Sequence, residues 1–569
     1  MSGSRGRICA KGGKHQMTQY FTEFSSAPFH LDGEAQAWAQ EKFAALDTRA
    51  KAALVFNVMT VGPTIDLASL GDLQPGFFTR MSGGSVEQER SQLEEINSRF
   101  TVPVIFSTDL EGSTTTPAGA TPSPVPMALA AANDPDATEK AAGAMAREAA
   151  ELGLRWSFTP AIDLNVAFRS SIVGTRSYGS DLEKVRAHAL AMLKGLQNAG
   201  TAATVKHWPG EGYDERDQHL VTTVNPLSFA DWEAQFGSLY RSAIEAGVMA
   251  VMPAHIALPS YMREVEGVEG PDAFLPATLN ARLNENLLRG RLGFKGIIVS
   301  DATAMAGIAG LLPRDELVVA VLNAGCDVIL DSKALAADVD AIARAVDDGR
   351  LPLARLDEAI RRQLAFKAAL GLHRGKSLPA PRDVQADQRA ITAILERAPT
   401  LVKAAEGLLP VTPARYQRIY LVTRGVGFPP ASPTRPLPLR FAEMLRTAGF
   451  DVVEHEWGTP VTPDGCDLLL YVYAEECLLT RGTITNDWGA MTGQFQAAMK
   501  RHWTTMPTLM ISFGWPYHLY EANKVHGYIN AYMAHPAMQK IVLEAMMGER
   551  PFEGVSPVDA FCGLDPAYF

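Results

Sequence analysis

Features that would mark several other protein classes are scarce or missing in this sequence of 569 residues. No stretch approaches 18 uninterrupted apolar residues, so we expect no membrane-spanning helix and no membrane partner. The five cysteines are widely scattered and no CxxC pair occurs among them, so neither a zinc ribbon nor a disulfide framework is expected. No apolar segment follows the basic residues near the N-terminus, so no signal peptide is predicted and a reducing cytoplasm fits best.

Positive charge is also in short supply. The formal net charge is −11 and no basic stripe occurs, which argues against a nucleic-acid partner, because phosphate binding needs clustered Lys and Arg. Hydrophobic residues make up 47% and charged residues 20%, the usage of ordinary globular proteins with sizeable cores. The sequence does not choose between a monomer and a homodimer.

Short uncharged runs alternate with longer amphipathic segments from about residue 50 to 372. The runs are typical of strands that are buried on both faces. They lie at residues 53–56, 102–106, 202–205, 248–252, 296–299 and 327–330. The clearest helical segments between them are 137–152, 181–199, 229–246 and 315–324. This alternation predicts an α/β fold, a (β/α)8 TIM-type barrel or a close variant of it.

A second, smaller unit follows the predicted barrel. A helical segment over 354–372 closes the first unit, Pro379 and Pro381 interrupt the pattern, and a bridging helix is predicted over 382–405. Apolar runs near 416–422, 466–472 and 508–513 then predict an α/β open-sheet (sandwich) domain. The predicted organisation is a loose leader over 1–30, a catalytic barrel over 31–375, a bridging linker and helix over 376–409, and a C-terminal α/β domain over 410–569.

Polar residues recur just after the predicted strands of the first unit. They are Asp109 and Glu111, Lys206 and His207, His255, and Asp301. Active sites of such barrels lie at the C-terminal ends of the strands, so four separate strands nominate residues for one site. Any one of these residues alone could instead be a polar group that caps a loop.

The loop after one of these strands carries the most informative pattern. Residues 206–212 read Lys-His-Trp-Pro-Gly-Glu-Gly, a sharply shaped loop, and Asp217 and His219 follow. A carboxylate two residues from a histidine can orient and charge-stabilise the imidazole, which makes that histidine a proton shuttle near neutral pH. Two alternatives stay open: His207, Asp217 and His219 could bind a metal, or the segment could be a structural loop.

This segment resembles the K-H-F-P-G-x-G-x4-D-x-H signature of the β-N-acetylglucosaminidases of glycoside hydrolase family 3. Lys206 to His219 match it in residue type and spacing, with Trp208 in place of Phe. The resemblance implies that His219 is the acid/base and Asp217 its partner. It also implies that Lys206 and His207 bind sugar hydroxyls.

Residues 292–301 read Leu-Gly-Phe-Lys-Gly-Ile-Ile-Val-Ser-Asp and are similar to L-G-F-x-G-V-I-x-S-D, the nucleophile strand of that family. The similarity implies that Asp301 is the nucleophile, and Met305 falls in register as a substrate-binding residue. Without this context, Asp301 could be a strand-end helix cap.

Three further segments resemble family motifs that contact the substrate. Residues 172–181 resemble V-I-G-x-R-S-F-G-x-D, which implies that Arg176 contacts the substrate. Residues 252–255 resemble M-x-A-H and point to His255, and residues 109–112 resemble the D-x-E-G that places Asp109 on the hydroxyls of the terminal sugar. Arg176 could otherwise be solvated or ion-paired, and His255 a satisfied histidine at a strand end. The resemblance extends over some 500 residues.

The sequence also departs from the family pattern. After residues 109–112 the muropeptide-recycling enzymes of the family carry G-R-V-x-R, whereas residues 113–116 here are Ser-Thr-Thr-Thr, which removes Arg contacts to the sugar. Ala302 stands where a second Asp follows the nucleophile. The loop before His219 carries the acidic residues Glu211, Asp214 and Glu215, which make an anionic substrate less favourable.

These residues together predict a retaining exo-glycosidase that removes terminal β-linked N-acetylglucosamine from small glycosides or cell-wall fragments. The resemblance implies a small carbohydrate substrate and no metal or organic cofactor. Three alternatives stay open: a family 3 β-glucosidase without N-acetyl preference, a phosphorolytic variant, and a sugar-binding protein on a decayed barrel. The phosphorolytic variant is considered because a neutral histidine repels an anion less than a carboxylate does.

Overall fold

The computed structural model describes residues 21–81, 83–117, 119–170, 172–375, 382–426, 439–476, 479–480 and 485–569. Cys9, Cys477, Pro379 and Pro381, which the sequence analysis counted or singled out, lie outside these ranges. Within them the chain has an α/β fold with parallel sheets. No helix in these ranges is long and apolar enough to cross a membrane.

The first part of the chain is built on short parallel strands. In chain order they are β1 (Phe56–Val61), β2 (Phe77–Met81), β3 (Ile105–Thr108), β4 (Leu154–Ser157), β5 (Thr204–Trp208), β6 (Thr223–Val224), β7 (Ala250–Pro253), β8 (Ile256–Ala257), β9 (Ile297–Ile298) and β10 (Ile329–Leu330). A five-stranded sheet has the order β10-β1-β2-β3-β4, a three-stranded sheet has the order β5-β7-β9, and β6 pairs with β8. Single parallel bridges, Trp156 to Ala202 and Val299 to Val328, connect the two larger sheets at both of their edges.

Helices occupy most connections between these strands. They are α1 (Gly33–Ala44), α2 (Thr48–Leu54), α3 (Val86–Arg99), α4 (Pro126–Ala131), α5 (Pro135–Ala150), α6 (Leu182–Asn198), α7 (Phe229–Trp232), α8 (Ser238–Glu245), α9 (Pro259–Glu264), α10 (Ala306–Ala309), α11 (Arg314–Asn323), α12 (Leu335–Asp347) and α13 (Leu353–Ala369). Several begin where an aspartate accepts a backbone N–H of the first turn, as Asp134 does for α5 and Asp181 for α6. Pro135 follows Asp134 at the first helical position, where its missing N–H does no harm.

The N-terminal end of the described chain packs onto the core of this first part. Phe21, Phe24 and Phe29 are all at least 93% buried, and the ring of Phe29 lies 6.3 Å from that of Phe366 on α13. Residues 21–30, which the sequence analysis included in a loose leader, therefore contribute aromatic surface to the core. Residues 1–20 of that leader lie outside the described ranges.

The later part of the chain forms a separate sheet, which we call the second sheet. In the described residues it has six strands, in the order β11-β16-β15-β14-β12-β13, and only β11 runs antiparallel to its neighbour. The strands are β11 (Thr400–Ala404), β12 (Arg418–Val426), β13 (Asp451–Glu454), β14 (Leu468–Glu475), β15 (Thr508–Ser512) and β16 (Gly527–Asn530). The helices are α14 (Val384–Arg397), α15 (Phe441–Thr447), α16 (Trp488–Thr492), α17 (Phe495–Ala498) and α18 (Pro536–Met546). The end of the predicted bridging helix is therefore wrong, because residues 400–404 form an edge strand.

Both faces of this sheet are covered, as β14 shows. Leu468 and Leu470 belong to one hydrophobic cluster, and Leu469 and Tyr471 belong to another on the opposite face. Successive side chains of a strand point to opposite faces, so a continuous apolar run is what such a central strand requires.

A buried aspartate lies behind the strand that leads to Asp301. Asp327 is fully buried, and its carboxylate accepts hydrogen bonds from three guanidinium groups and from the Ile298 N–H of β9, at 2.8 to 3.1 Å. The guanidinium groups belong to Arg289, Arg355 and Arg362. Burial alone would raise the pKa of Asp327, but the three positive charges hold it below its ordinary value.

We expect Asp327→Ala to lower the free energy of unfolding by about 3–5 kcal/mol, because it leaves three buried guanidinium groups without their counter-charge. Urea denaturation followed by circular dichroism measures this change. Asp340→Ala is the control, since Asp340 forms an exposed pair with Arg49, and exposed ion pairs contribute little to stability. Because the pKa of Asp327 is lower in the folded than in the unfolded protein, its ionised form stabilises the fold at a pH above the unfolded pKa. This contribution is lost as the pH falls through the folded pKa. The difference between wild type and Asp327→Ala should therefore shrink below about pH 4. Equal denaturation midpoints for Asp327→Ala and Asp340→Ala would contradict this account.

Candidate active site

The C-terminal ends of β5, β7 and β9 bring most of the predicted site residues together. Lys206 and His207 lie at the end of β5, His255 follows β7, and Asp301 follows β9. Backbone contacts connect these ends: the Asp301 N–H donates to the Pro253 carbonyl at 2.9 Å, and the Ala306 N–H donates to the His219 carbonyl at 2.9 Å. The loop that carries His219 is thus attached to the turn that follows Asp301.

Asp301 is a buried carboxylate with a fixed orientation. Its residue is 9% exposed, and its Oδ1 accepts the Ala302 N–H at 2.7 Å. Burial would raise the pKa of Asp301, but nearby His255, His207 and His219 and the backbone hydrogen bond lower it below its ordinary value. The carboxyl group is therefore ionised at neutral pH, as a nucleophile must be.

Asp217 and His219 form a hydrogen-bonded pair, as the sequence predicted. His219 Nδ1 donates to Asp217 Oδ1 at 2.7 Å, and the His219 backbone N–H donates to the same oxygen at 2.8 Å. The second oxygen, Oδ2, accepts the backbone N–H of Thr480 at 2.8 Å. Burial raises the pKa of Asp217, and its hydrogen bonds to His219 and Thr480 outweigh this and lower it. Because Nδ1 is bound to Asp217, Nε2 is the ring atom that can exchange a proton with a substrate.

Charged side chains from the loops after β3 and β4 and from β5 itself form a cluster of ion pairs. Lys206 Nζ donates to Asp109 Oδ1 and lies 2.7 Å from Glu111 Oε1, the same distance as to Asp109. Arg176 Nε donates to Glu111 Oε2 at 2.8 Å. Burial alone would lower the pKa of Lys206, and the two carboxylates raise it instead. The Asp109 side chain is 26% exposed, against 3% for Lys206 and 8% for Glu111, so Asp109 is the most accessible of these three side chains.

A buried aspartate that the sequence analysis did not single out fixes His207. Asp163 accepts the His207 N–H at 3.1 Å, His207 Nδ1 at 2.6 Å and the Glu211 N–H at 2.9 Å. On the other side of the ring, His207 Nε2 accepts from Arg176 Nη2 at 3.3 Å. The ring of His207 is therefore held on both edges, between Asp163 and Arg176.

The shaped loop predicted from its proline and glycines is confirmed. Gly210 has φ of +122°, and a Cβ there would lie 2.3 Å from the ring of Phe236. Gly212 has φ of +117°, and a Cβ there would lie 1.7 Å from the carbonyl oxygen of Leu164. Only glycine meets both the backbone conformation and the space at these positions.

His255 and Met305 both contact the turn that follows Asp301, at the Ala302 carbonyl. His255 is fully buried, and burial lowers its pKa. Its Nε2 donates to the Ala302 carbonyl at 3.1 Å, and Nδ1 lies 3.0 Å from the Thr278 hydroxyl. Both ring nitrogens thus contact protein groups, next to Asp301. Met305 is 9% exposed, immediately before α10.

The residues that could together bind a metal differ from the set proposed from the sequence. Among the described residues, groups whose ligand atoms lie within 4.8 Å of one another are Asp163, His207 and Glu211, and the partly exposed Asp32, Glu34 and His373. His207, Asp217 and His219 do not form such a group. In the first group Asp163 already binds His207. Burial and the nearby Asp163 raise the pKa of Glu211 well above its ordinary value.

Comparison with known proteins agrees with the motifs. Residues 77–365 match the family described as Glycosyl hydrolase family 3 N terminal domain. A Cellulomonas fimi protein named β-N-acetylglucosaminidase/β-glucosidase is 38% identical over 567 residues, 95% of this chain and 99% of that protein. A solved structure of the β-glucoside phosphorylase BglX is 30% identical with a TM-score of 0.86, over 96% of this chain and 100% of that chain.

The fold is shared more widely. A family 3 β-N-acetylglucosaminidase from Paenibacillus sp. str. FPU-7 has a TM-score of 0.77 at 24% identity, over 91% of this chain and 100% of that one. The family predicted from the motifs is thus confirmed by a match to half of the chain and by a relative that covers nearly all of it. The chain therefore belongs to glycosyl hydrolase family 3 and is a glycoside hydrolase that acts on a carbohydrate substrate.

Proposed function

We propose that this enzyme is a retaining, exo-acting glycosidase that releases terminal β-linked N-acetylglucosamine from small glycosides or cell-wall fragments. One observation carries the proposal: two unlike groups share the site, a buried ionised Asp301 and a His219 whose Nδ1 is bound to Asp217 at 2.7 Å. A nucleophile and a separate proton donor are what a retaining mechanism requires.

In the first step, the Asp301 carboxylate attacks the anomeric carbon and the bond to the leaving oxygen breaks. His219, as imidazolium, gives its Nε2 proton to that oxygen, and Asp217 stabilises the charged ring through Nδ1. In the second step, neutral His219 takes a proton from water, and the water oxygen displaces Asp301 from the anomeric carbon. Two inversions give net retention, and neither step uses a metal or an organic cofactor.

The terminal sugar is held by the charged cluster beside the pair. Asp109 and Lys206 offer an acceptor and a donor to sugar hydroxyls, and Arg176 and His207 complete the same wall. Asp163 and Glu111 hold these groups in place through the hydrogen bonds given above, and we assign them a positioning role. We assign His255 the same role toward the Asp301 turn, because its ring contacts the Ala302 carbonyl.

We further infer that the first part of the chain is the (β/α)8 barrel that the sequence predicts. Eight parallel strands support this inference, because β10 pairs with β1 and the edge bridges connect β4 to β5 and β9 to β10. The second sheet then belongs to a smaller open-sheet domain. A cytoplasmic location is proposed as well, supported by Cys326, Cys466 and Cys562, which are free thiols.

The preference for the sugar is tested on nitrophenyl β-glycosides. We expect kcat/KM for the N-acetylglucosaminide to exceed that for the glucoside by roughly tenfold or more, because a pocket built for the acetamido group leaves polar groups unpaired when glucose binds. The product anomer, followed by NMR in the same reactions, should be β at early times. Equal rates, or a preference for the glucoside, would contradict the N-acetylglucosamine preference and favour a β-glucosidase instead. The name of the Cellulomonas fimi relative includes both activities.

Phosphorolysis is the second candidate, favoured by the similarity to a β-glucoside phosphorylase over nearly the whole chain. In that reaction phosphate, not water, would displace Asp301, and the product would be a β-glycosyl phosphate. Phosphorus NMR of reactions run with inorganic phosphate separates the two. The hydrolytic proposal expects free sugar as the product and a rate that does not depend on phosphate.

A further inference from the structure

The second sheet places a particular segment against the active site. Along this sheet the chain runs from β12 to β13 on one side and then returns to β14 on the other side of β12. Ligand sites of open α/β sheets lie outside the carboxyl ends of the strands at such a switch. The segment that leaves β14 at this switch begins with Glu476.

Glu476 and Thr480, four residues apart, each form a hydrogen bond with a residue of the candidate active-site loops. The Ser113 hydroxyl donates to Glu476 Oε1 at 2.7 Å. The backbone N–H of Ala534, which lies between β16 and α18, donates to the same oxygen at 2.8 Å. Four residues later, the Thr480 N–H donates to Asp217 Oδ2 at 2.8 Å. Glu476 thus contacts the loop of Asp109 and Glu111, and Thr480 contacts the proposed acid/base pair.

Ser113 needs an interaction of this kind. Its φ is +47°, a left-handed conformation that is unfavourable for a residue with a side chain and persists only where the surroundings enforce it. It lies two residues after Glu111, and the residue is 6% exposed. The Ser113 side chain points to Glu476, the residue that follows β14 of the second sheet.

We propose that Glu476 is a positioning residue of the active site: through Ser113 it fixes the loop that carries Asp109 and Glu111, and so sets the affinity for the terminal sugar. The inference rests on the proposed function and adds a role for the second domain. Burial raises the pKa of Glu476 to about 7, and Oε1 accepts both hydrogen bonds whether or not Oε2 is protonated. A glutamine can therefore replace this glutamate, whereas a leucine cannot.

The test compares Glu476→Leu, Glu476→Gln and Glu443→Leu on the aryl glycoside that the wild type cleaves best. Glu476→Leu removes the hydrogen bonds to Ser113 and to Ala534. We expect it to raise KM about tenfold, mainly through the lost hydrogen bond to Ser113, with kcat within about twofold of wild type. Glu476→Gln should keep KM within about twofold of wild type. Glu443→Leu makes the same chemical change on the surface of α15 and should change neither constant.

Ser113→Ala removes the same hydrogen bond with a smaller change and keeps the test valid if Glu476→Leu does not fold. The double variant of Ser113→Ala and Glu476→Leu should have the KM of Glu476→Leu alone, because that variant already lacks the contact with Ser113. An unchanged KM in Ser113→Ala, or an equal loss in Glu476→Gln and Glu476→Leu, would overturn the inference. Failure of the proposed function would appear instead in the wild type, as a different sugar preference or product, and would leave the comparison of variants intact.

Discussion

Asp301→Ala should reduce kcat on an aryl N-acetylglucosaminide by roughly 10⁴-fold or more while leaving the protein folded. A nucleophile that acts as a unit with its acid/base can account for about 10⁶-fold in kcat when it is removed. In the proposed mechanism Asp301 supplies the attacking carboxylate and also the negative charge opposite the anomeric carbon. Steady-state kinetics and circular dichroism on the same preparation measure the two parts of this prediction.

Azide makes the prediction specific to a nucleophile. With Asp301→Ala, azide can enter from the face that the carboxylate has vacated, and the product is an α-glycosyl azide formed with one inversion. A fluorinated sugar inactivator should label wild-type Asp301 covalently, and Asp340→Ala, a surface control, should be labelled at the wild-type rate. Near wild-type turnover by Asp301→Ala, or a label on another residue, would show that the nucleophile has been misassigned.

Two strands of the first part were predicted closely, and both lack charged residues. Runs at 248–252 and 296–299 coincide with β7 and β9, within the two residues by which strand ends are usually uncertain. The short strands β2 and β4 were missed, and each carries an arginine, Arg80 or Arg155, whereas the longer β12 was predicted although it begins with an arginine. Arg80 is buried against Glu89 at 2.6 Å, a pairing that only the folded chain makes visible. A charge inside a strand hides the periodic pattern on which such a prediction depends.

Other errors came from apolar runs that fit helix and strand equally well. Residues 53–54 were predicted to start a strand, yet they end α2, which Asp47 caps at its N-terminus. Residues 400–404 were predicted to end a helix, yet they pair with β16. Whether such a run forms a helix or a strand depends on a helix cap or on a partner strand, and short-range periodicity carries no information about either.

The candidate site divides in the same way. Lys206, His207 and the Asp217–His219 pair lie in one contiguous motif, and the structure places them together. Asp163 was missed because it follows β4, a strand that the sequence did not reveal. Thr480 is 263 residues from Asp217 in the chain, so no local signal could connect the two. The residues proposed to act on the substrate are thus visible in the sequence, whereas those that hold them in place emerge from the fold.

His219→Ala should separate substrates by their leaving groups. General acid catalysis contributes about 10²–10⁴-fold when the departing oxygen needs a proton, and little when it is already stable as an anion. We therefore expect kcat/KM to fall by about 10²–10⁴-fold for alkyl or sugar leaving groups, and by less than about tenfold for a dinitrophenyl glycoside. The measurement is a plot of log kcat/KM against the pKa of the leaving group, which should become steeper in the variant.

The same variant reports on the second step. With an activated substrate, Asp301 still forms the glycosyl-enzyme but no base activates water, so the intermediate accumulates and a burst of aryl alcohol precedes a slow steady state. Azide needs no base, so it should restore turnover and give a β-glycosyl azide, the opposite anomer to that expected from Asp301→Ala. His502→Ala is the control, because His502 contacts the Val461 carbonyl in the second part of the chain. An equal loss across all leaving groups, without rescue by azide, would assign His219 to sugar binding or to the structure of the loop.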